Sequence, residues 1–556
     1  MKTMRNSKQR ISLWLTAVIL FSSFCINGCG QSGGNEEIRQ TEAEISQPET
    51  EISPPETQTV TLTYWSGLGD KASQVISSNA QIPIYDVLAE MTGVSIEWIN
   101  PSVTDQDTQL NLLLASQNLP DMIFYDWQSS YSGGLAKAVT DEIAIPLNDL
   151  IDEYAPNFKN LLEENPELKK QISLDDGTIA MFPSARTDPR VRIWFGPQIR
   201  QDWLDNLGLD MPQTIDDWYN VLKAFKEQDA NGNGDMDDEI PFVAAGASSL
   251  SSYLLSFAGA YGLVRDTFCV KNGKVVYSPA EAEYKDFLAE MAKWYEEGLI
   301  DSDFAAMDGT SVKSLITTDV AGAYFGSLAG NLGGYNTVLK EVYPEAQIVG
   351  APWVTSTDGN AYQQEAQHAQ AFTGAGTIVT TACEDPVMAV KWLDEHYSEK
   401  GTLLMTFGIE GVSYEMVNGE PVLTDEILNN PSGLSYDIAL AQYSMKPNTA
   451  EAMDDTYAIY SQYNLQSDVQ REANNLWAEG DLSIIMPPVS MTADESAEYS
   501  KIMNEITTYT SESIVKFIMG QIDINEFDAF VQSLKDMDLD RAIEIQQTAY
   551  DRYMAR

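Results

Sequence analysis

The chain has 556 residues, with 33 Lys and Arg against 83 Asp and Glu, a formal net charge of −50. So acidic a protein repels phosphate backbones and anionic headgroups, which argues against nucleic-acid binding and against adhesion to anionic lipid. Four cysteines are too few for a disulfide-dense scaffold, and two histidines, His368 and His396, leave little scope for imidazole chemistry.

At the start, Lys2, Arg5, Lys8 and Arg10 precede a mostly apolar run, Ile11–Ile26, and then Asn27-Gly28-Cys29. A basic region, an apolar core and a small residue before cysteine describe a lipoprotein signal peptide over residues 1–28. Cys29 is the expected lipidation site, and Cys25 is lost with the peptide. Removing residues 1–28 leaves 29 basic against 83 acidic residues, a net charge of −54. Residues 29–57 are acidic, proline-containing and without hydrophobic period, so they read as a disordered tether. No later segment has the roughly eighteen uninterrupted apolar residues of a spanning helix.

VTLTYWSG (60–67) alternates and predicts a strand; 83–92 a helix; VSIEWIN (94–100) a strand; DTQLNLLLAS (107–116) a helix; and MIFY, within NLPDMIFYDW, a third strand. Strand–helix–strand alternation argues for an α/β fold with a mostly parallel sheet, whose ligands gather beyond the carboxyl ends of strands. Trp65, Tyr125, Asp126 and Trp127 stand at those ends. In ARTDPRVRIWFGPQ (185–198), Arg192 and Trp194 are further candidates, because arginine donates forked hydrogen bonds and aromatic faces stack on sugar rings. Tryptophan packing in the core is the plain alternative for each.

The most informative stretch is IRQDWLDNLGLDMPQTIDDWYNVLKAFKEQDANGNGDMDDEIPF (199–242). Thr214 and Asp217 form an acidic capping box, and Trp218, Val221, Leu222 and Phe225 fall on one helical face. The following loop offers Asp229, Asn231 and Asn233 at alternate positions, with Gly234 for the turn, a pattern suited to a hard cation such as Ca2+. An EF-hand places a bidentate Glu at the twelfth position, where Ile240 stands. The remaining carboxylates come from Asp237, Asp238 and Glu239; a metal-free Asx-rich turn is the alternative.

Ser278–Phe304 predicts a long amphipathic helix and turn. Asp319–Tyr335 predicts a short strand with small residues, where Tyr324 is a cleft candidate. Cys269 and Cys383 are expected as free buried thiols, and His396 as a surface residue on the polar side of a helix that Asp385 caps.

These landmarks, in this order, resemble the extracellular solute-binding proteins of ABC importers, the lipoprotein, oligosaccharide-associated type. The resemblance runs from about residue 60 to the closing AYDRY. It rests on the 199–242 stretch, NLPDMIFYDW, DDGTIAMFP, the 278–304 helix, Thr377–Ile427 with GIEGVSYEMVNGEP, and the helical 487–554 region. It implies a periplasmic-binding-protein-like two-lobe fold of type II, each lobe a mixed sheet flanked by helices, with a hinge and an interlobe cleft. The implied lobes are 58–184 with about 352–435, and 185–351 with about 436–556. DDGTIAMFP would be a short hairpin, Trp353 would mark the return strand, and Tyr414 would lie near the binding face. The loop would hold a structural calcium ion, completed by Asp237–Asp238 or Asp238–Glu239. The implied function is capture of an oligosaccharide by a monomeric, lipid-anchored extracellular protein and delivery to membrane permease subunits. A peptide or another polar solute is the alternative ligand. A carbohydrate-cleaving enzyme is a further alternative, but it needs two flanking carboxylates, and no recognisable catalytic phrase supplies them.

Overall fold

The computed structural model describes residues 60–128, 130–245, 254–365, 369–445, 452–455 and 466–556. Cys29, the residues expected as signal peptide and tether, and His368 lie outside them.

In chain order the strands are β1 (Val60–Trp65), β2 (Val94–Ile99), β3 (Met122–Asp126), β4 (Phe182–Ala185), β5 (Phe195–Arg200), β6 (Ile240–Phe242), β7 (Phe268–Lys271), β8 (Lys274–Tyr277), β9 (Ala321–Ser327), β10 (Ile348–Gly350), β11 (Phe372–Val379), β12 (Tyr414–Val417), β13 (Glu420–Leu423) and β14 (Met453–Asp454). Two sheets carry the architecture, in the orders β14-β4-β11-β3-β1-β2 and β10-β5-β9-β6. β1 runs parallel to β2 and β3. β11, arriving from the second lobe, runs antiparallel to β3 and β4.

The expected helices form for physical reasons visible in the sequence. Ile84–Thr92 ends at Gly93, whose φ of 72° lets the chain turn straight into β2. In Ile215–Glu227 the Thr214 amide donates to Asp217 Oδ2 at 2.9 Å, and the Asp217 amide donates to Thr214 Oγ1 at 3.2 Å. Trp218, Val221, Leu222 and Phe225 on that helix are all buried. Asp385 accepts from the Met388 amide at 3.1 Å and opens helix Pro386–Glu395. The 278–304 stretch forms helix Ala282–Glu296 and a turn.

One large core packs around the first sheet, with Tyr64, Phe158, Phe182 and Trp392. Another gathers Trp203, Trp218, Phe257 and Trp294 with the C-terminal helices. A third, centred on Trp353 and Trp477, joins β9 and β10 to helix Asp468–Ala478. Cys269 is buried, Cys383 partly so, and both are free thiols.

Three local expectations are corrected. The 175–183 stretch forms a tight turn without the paired strands of a hairpin: the Gly177 amide donates to the Leu174 carbonyl at 2.9 Å, the Leu174 amide to the Thr178 carbonyl at 2.8 Å, and the Ile179 amide to the Asn148 side chain at 2.9 Å. With its polar groups satisfied there, the segment passes directly into β4. Trp353 does not ride a strand into the first sheet; β10 pairs with β5, and Trp353 stays in the second lobe. His396 is fully buried, not surface. Its Nδ1 lies 2.8 Å from the Ala452 carbonyl and its ring packs at 4.3 Å on Trp392, one helical turn earlier. In addition, β14 pairs with β4 and places Met453–Asp454 in the first sheet, within a span expected in the second lobe.

Candidate ligand-binding cleft and calcium loop

Topology brings the strand ends of both sheets to the lobe crossovers. β1, β3 and β4 point their carboxyl ends to one edge of the first sheet. The chain leaves the first sheet at that edge after Ala185 and returns to it there before Phe372. In the second sheet, Phe195 opposes Ser327, so β9 ends on the crossover side as well. The two edges that bind ligands in α/β sheets therefore border the hinge.

A cavity of about 330 Å³ opens beside β3. One wall is the loop after β3, with Gln128, Tyr131, Ser132 and Gly133, together with Gln171 and Ser173. The other carries Ser490, Ser496 and Tyr499 from the region beginning helix Ala493–Ile518. Gly133 has φ 90°, and a Cβ there would meet Lys137 Cδ at 2.5 Å, so the turn that presents Tyr131 requires glycine. Gln171 is held rigidly: it accepts from the Ala371 amide at 2.7 Å and donates to the Ala369 carbonyl at 3.0 Å, both on the returning crossover. Hydroxyls, amides and tyrosine rings line this cavity together with apolar side chains such as Leu135, Met181 and Met491, a mixture suited to polyhydroxylated solutes with apolar ring faces.

The sequence candidates fall into distinct environments. Trp65 is buried, with its ring 6.5 Å from that of Tyr125, whose hydroxyl donates to Asp107 at 2.6 Å. Burial and that carboxylate raise the Tyr125 pKa. Trp127 is fully buried between Tyr125 and Tyr131, at 5.6 and 5.2 Å between ring centroids. Asp126 is half-buried and accepts from Ser130 Oγ at 3.1 Å. Arg192 donates to the carbonyls of Arg186 and Thr187 at 2.6 and 3.0 Å and braces the crossover. Trp194 is 39% exposed, donates to the Val191 carbonyl at 2.9 Å and carries the Arg186 guanidinium 4.5 Å above its ring. Tyr324 is buried on β9, 5.9 Å from Tyr335. Trp353 is buried against Phe325 at 5.8 Å. Tyr414 is buried against Phe407 and borders a separate, open groove of about 410 Å³ with Leu403 and Ile409.

The structure thus clusters Trp65, Tyr125 and Trp127 behind the β3 loop and leaves Asp126 and Trp194 with exposed surface. The cavity also brings together Gln128, Tyr131, Gln171 and Tyr499, and the crossover sets Arg186 over Trp194, none of which the sequence singled out as a partner. The Ser-Gly-Gly turn after Tyr131 is the one signal that marks that loop as a presented one.

The acidic loop is tightly wound. Asp229 Oδ2 accepts from the Gly234 amide at 3.0 Å, Asn231 Oδ1 from Asn233 at 3.0 Å, and Asn233 Oδ1 from Asp235 at 2.7 Å. Asp235, not singled out from sequence, accepts from the Asp237 amide at 3.1 Å. Asp238 receives the Asn233 side-chain amide at 2.8 Å. Glu239 is buried, its carboxyl pushed up by burial, and Oε1 accepts from the Ala230 amide at 2.8 Å. Among the described residues no three acidic, histidine or cysteine side chains converge on one point. Yet Asp229 Oδ1 and Glu239 Oε2 are both buried without a hydrogen-bond partner. Orphaned carboxylate oxygens among amide oxygens fit a hard cation.

The family model of the bacterial extracellular solute-binding proteins matches residues 77–402. The fructooligosaccharide ABC transporter substrate-binding protein FusA of Streptococcus pneumoniae serotype 4 is 28% identical over 487 residues, 84% of this chain and 86% of FusA. A structure of a FusA EF-hand mutant with fructo-nystose aligns at 24% identity and TM-score 0.62, over 89% of this chain and 99% of its own. Lipoprotein LipO of Bacillus subtilis is 28% identical over 469 residues, 83% of this chain and 87% of LipO. The alginate-binding protein AlgQ2, solved without calcium ion, aligns at 25% identity and TM-score 0.62, over 89% of this chain and 98% of AlgQ2. The fold is accordingly the two-lobe periplasmic-binding-protein-like fold, and the chain belongs to the bacterial extracellular solute-binding protein family.

Proposed function

We propose that the protein captures an oligosaccharide outside the cell and delivers it, chemically unchanged, to the permease subunits of an ABC importer. The observation that carries this reading is the cavity at the crossover edge, lined by hydroxyls, amides and tyrosines, in a chain similar to FusA. The ligand lies between Gln128, Tyr131 and Gln171 on one side and Tyr499 on the other, with Asp126, Arg186 and Trp194 at the crossover. Trp65, Tyr125 and Trp127 shape the first wall from behind; Tyr324 and Trp353 support the second lobe, and Arg192 braces the hinge. The protein works as a monomer tethered through lipidated Cys29 and the acidic segment to residue 57.

The calcium site is structural in this proposal. Asp229, Asn231, Asn233 and Glu239 hold the ion with oxygen from Asp237 or Asp238, and the ion ties helix Ile215–Glu227 to β6. The buried orphan oxygens support it, as does the EF-hand named for FusA.

A thermal-shift screen of residues 58–556 with calcium tests the function. Fructooligosaccharides, uronic-acid oligosaccharides, monosaccharides and peptides are compared, because a ligand selective for the folded state raises the melting temperature. The expected result is a shift with one oligosaccharide class and no release of reducing sugar. A shift confined to peptides overturns the saccharide, and reducing-sugar release overturns simple capture.

A further inference from the structure

Helix Leu539–Ala555 packs with the second lobe through Leu539 and Ala542, yet its last turn is bonded to the first lobe. Tyr553 donates its hydroxyl to Glu167 Oε1 at 2.5 Å. Arg556 pairs with Asp175 at 2.7 Å and donates to the Lys170 carbonyl at 3.3 Å. Arg552 is shared between the sides: it pairs with Asp175 at 2.9 Å, with Glu495 at 2.6 Å, and donates to the Ser490 carbonyl at 3.0 Å.

The acceptors occupy telling positions. Asp175 directly follows Leu174, which lines the wall of the cavity built on the first lobe. Glu495 directly precedes Ser496, which lines the opposite wall. There it also accepts from the Thr492 amide at 2.8 Å and caps helix Ala493–Ile518. One arginine therefore touches both walls behind the cavity they enclose.

We infer that Arg552 and Arg556 form a latch that sets the separation of the two cavity walls, so that opening the cleft requires breaking this ionic network. Partly exposed ion pairs are individually weak and screened by salt. Arg556 is only 3% exposed, but Arg552 is 26% and their shared partner Asp175 39% exposed, so water and salt reach the latch through Asp175 and it is releasable rather than a permanent clamp. Sharing Asp175 between two arginines makes its loss remove both ion pairs to the first lobe at once, leaving Arg556 only its bond to the Lys170 carbonyl there. The device concerns lobe separation and stands whether or not the ligand is a saccharide.

The test needs no ligand. Spin labels go on exposed Ala115→Cys in the first lobe and Lys340→Cys in the second, in a Cys383→Ser background, with electron–electron distances measured. The expected result for Arg552→Gln/Arg556→Gln is a broader distribution lengthened by a few ångströms. Salt of about 1 M, where the Debye length is ~3 Å, has the same effect on the parent and none on the variant. Asp175→Asn, on an exposed turn, reproduces the variant and serves if the double arginine change prevents folding. Distributions unchanged by the substitutions and by salt overturn the latch.

Discussion

Trp353 donates its indole N–H to the Trp477 carbonyl at 3.0 Å, and Trp477 donates its own to the Ala351 carbonyl at 2.9 Å. The reciprocal pair fastens the start of the returning crossover to helix Asp468–Ala478. Gly196 and Gly350 make room for it: a Cβ on Gly196 would meet the Trp477 ring at 2.2 Å. Trp353→Phe keeps most of the apolar bulk and removes one donor to the Trp477 carbonyl, which retains the Gln363 side-chain amide at 3.0 Å and the Gly480 amide at 3.3 Å, so the cost is that of one hydrogen bond, about 0.5–1.5 kcal/mol. Urea unfolding measures this, and an unchanged midpoint would show that the hydrogen bond contributes nothing. Trp477→Ala should cost more, about 3–5 kcal/mol, because it opens a cavity in the third core.

His396 gives a signed pH dependence. Burial lowers its pKa from 6.5 to about 4, since a charged imidazole is poorly accommodated against Trp392. Between those values the unfolded chain binds a proton that the folded one does not, so stability falls as pH drops from 6.5 towards 4. A shift of this size corresponds to about 3 kcal/mol. The contribution is fully present above pH 6.5. His396→Gln should flatten the difference between the two unfolding curves measured across that window. Parallel pH profiles for the two proteins would refute it.

The calcium loop predicts a linked stability. With free calcium ~100-fold above its dissociation constant, binding adds about 2.7 kcal/mol, and a chelator removes it. Asp229→Ala and Glu239→Gln each remove one of the two orphaned buried oxygens and should abolish the calcium-dependent rise in melting temperature. Persistence of the full rise in both variants would place the ion elsewhere. By contrast, Thr214→Ala, at the preceding helix cap, should lower stability by about 1 kcal/mol with or without calcium.

How much of this was readable beforehand depends on locality. Helix Ile215–Glu227 was legible because its cap, its apolar stripe and its glycine-rich exit all lie within one short stretch. β1 to β3 were legible for the same reason. The aromatic ligand candidates were placed by strand ends alone, and that signal cannot tell a cleft-facing ring from one covered by the next loop. Trp127 is covered by Tyr131, four residues on, in a Ser- and Gly-rich turn without period. His396 is covered through Ala452, 56 residues away in sequence. Burial set by such distant partners leaves no trace in hydropathy.

That distinction yields a prediction for the cleft. Tyr131 is half-buried at the cavity wall and Trp194 is partly exposed at the crossover, so both have surface to offer a ligand. Trp127 has none. Tyr131→Ala and Trp194→Ala should each weaken binding of the screened oligosaccharide about tenfold, equivalent to about 1.4 kcal/mol, with little change in melting temperature. Trp127→Leu should do the reverse, lowering the melting temperature first, because it empties space between Tyr125 and Tyr131. Calorimetric titration alongside thermal unfolding separates the two effects. Were Trp127→Leu to lose affinity while keeping full stability, the wall behind Tyr131 would itself be the contact surface, and the loop would have to move aside to admit the ligand.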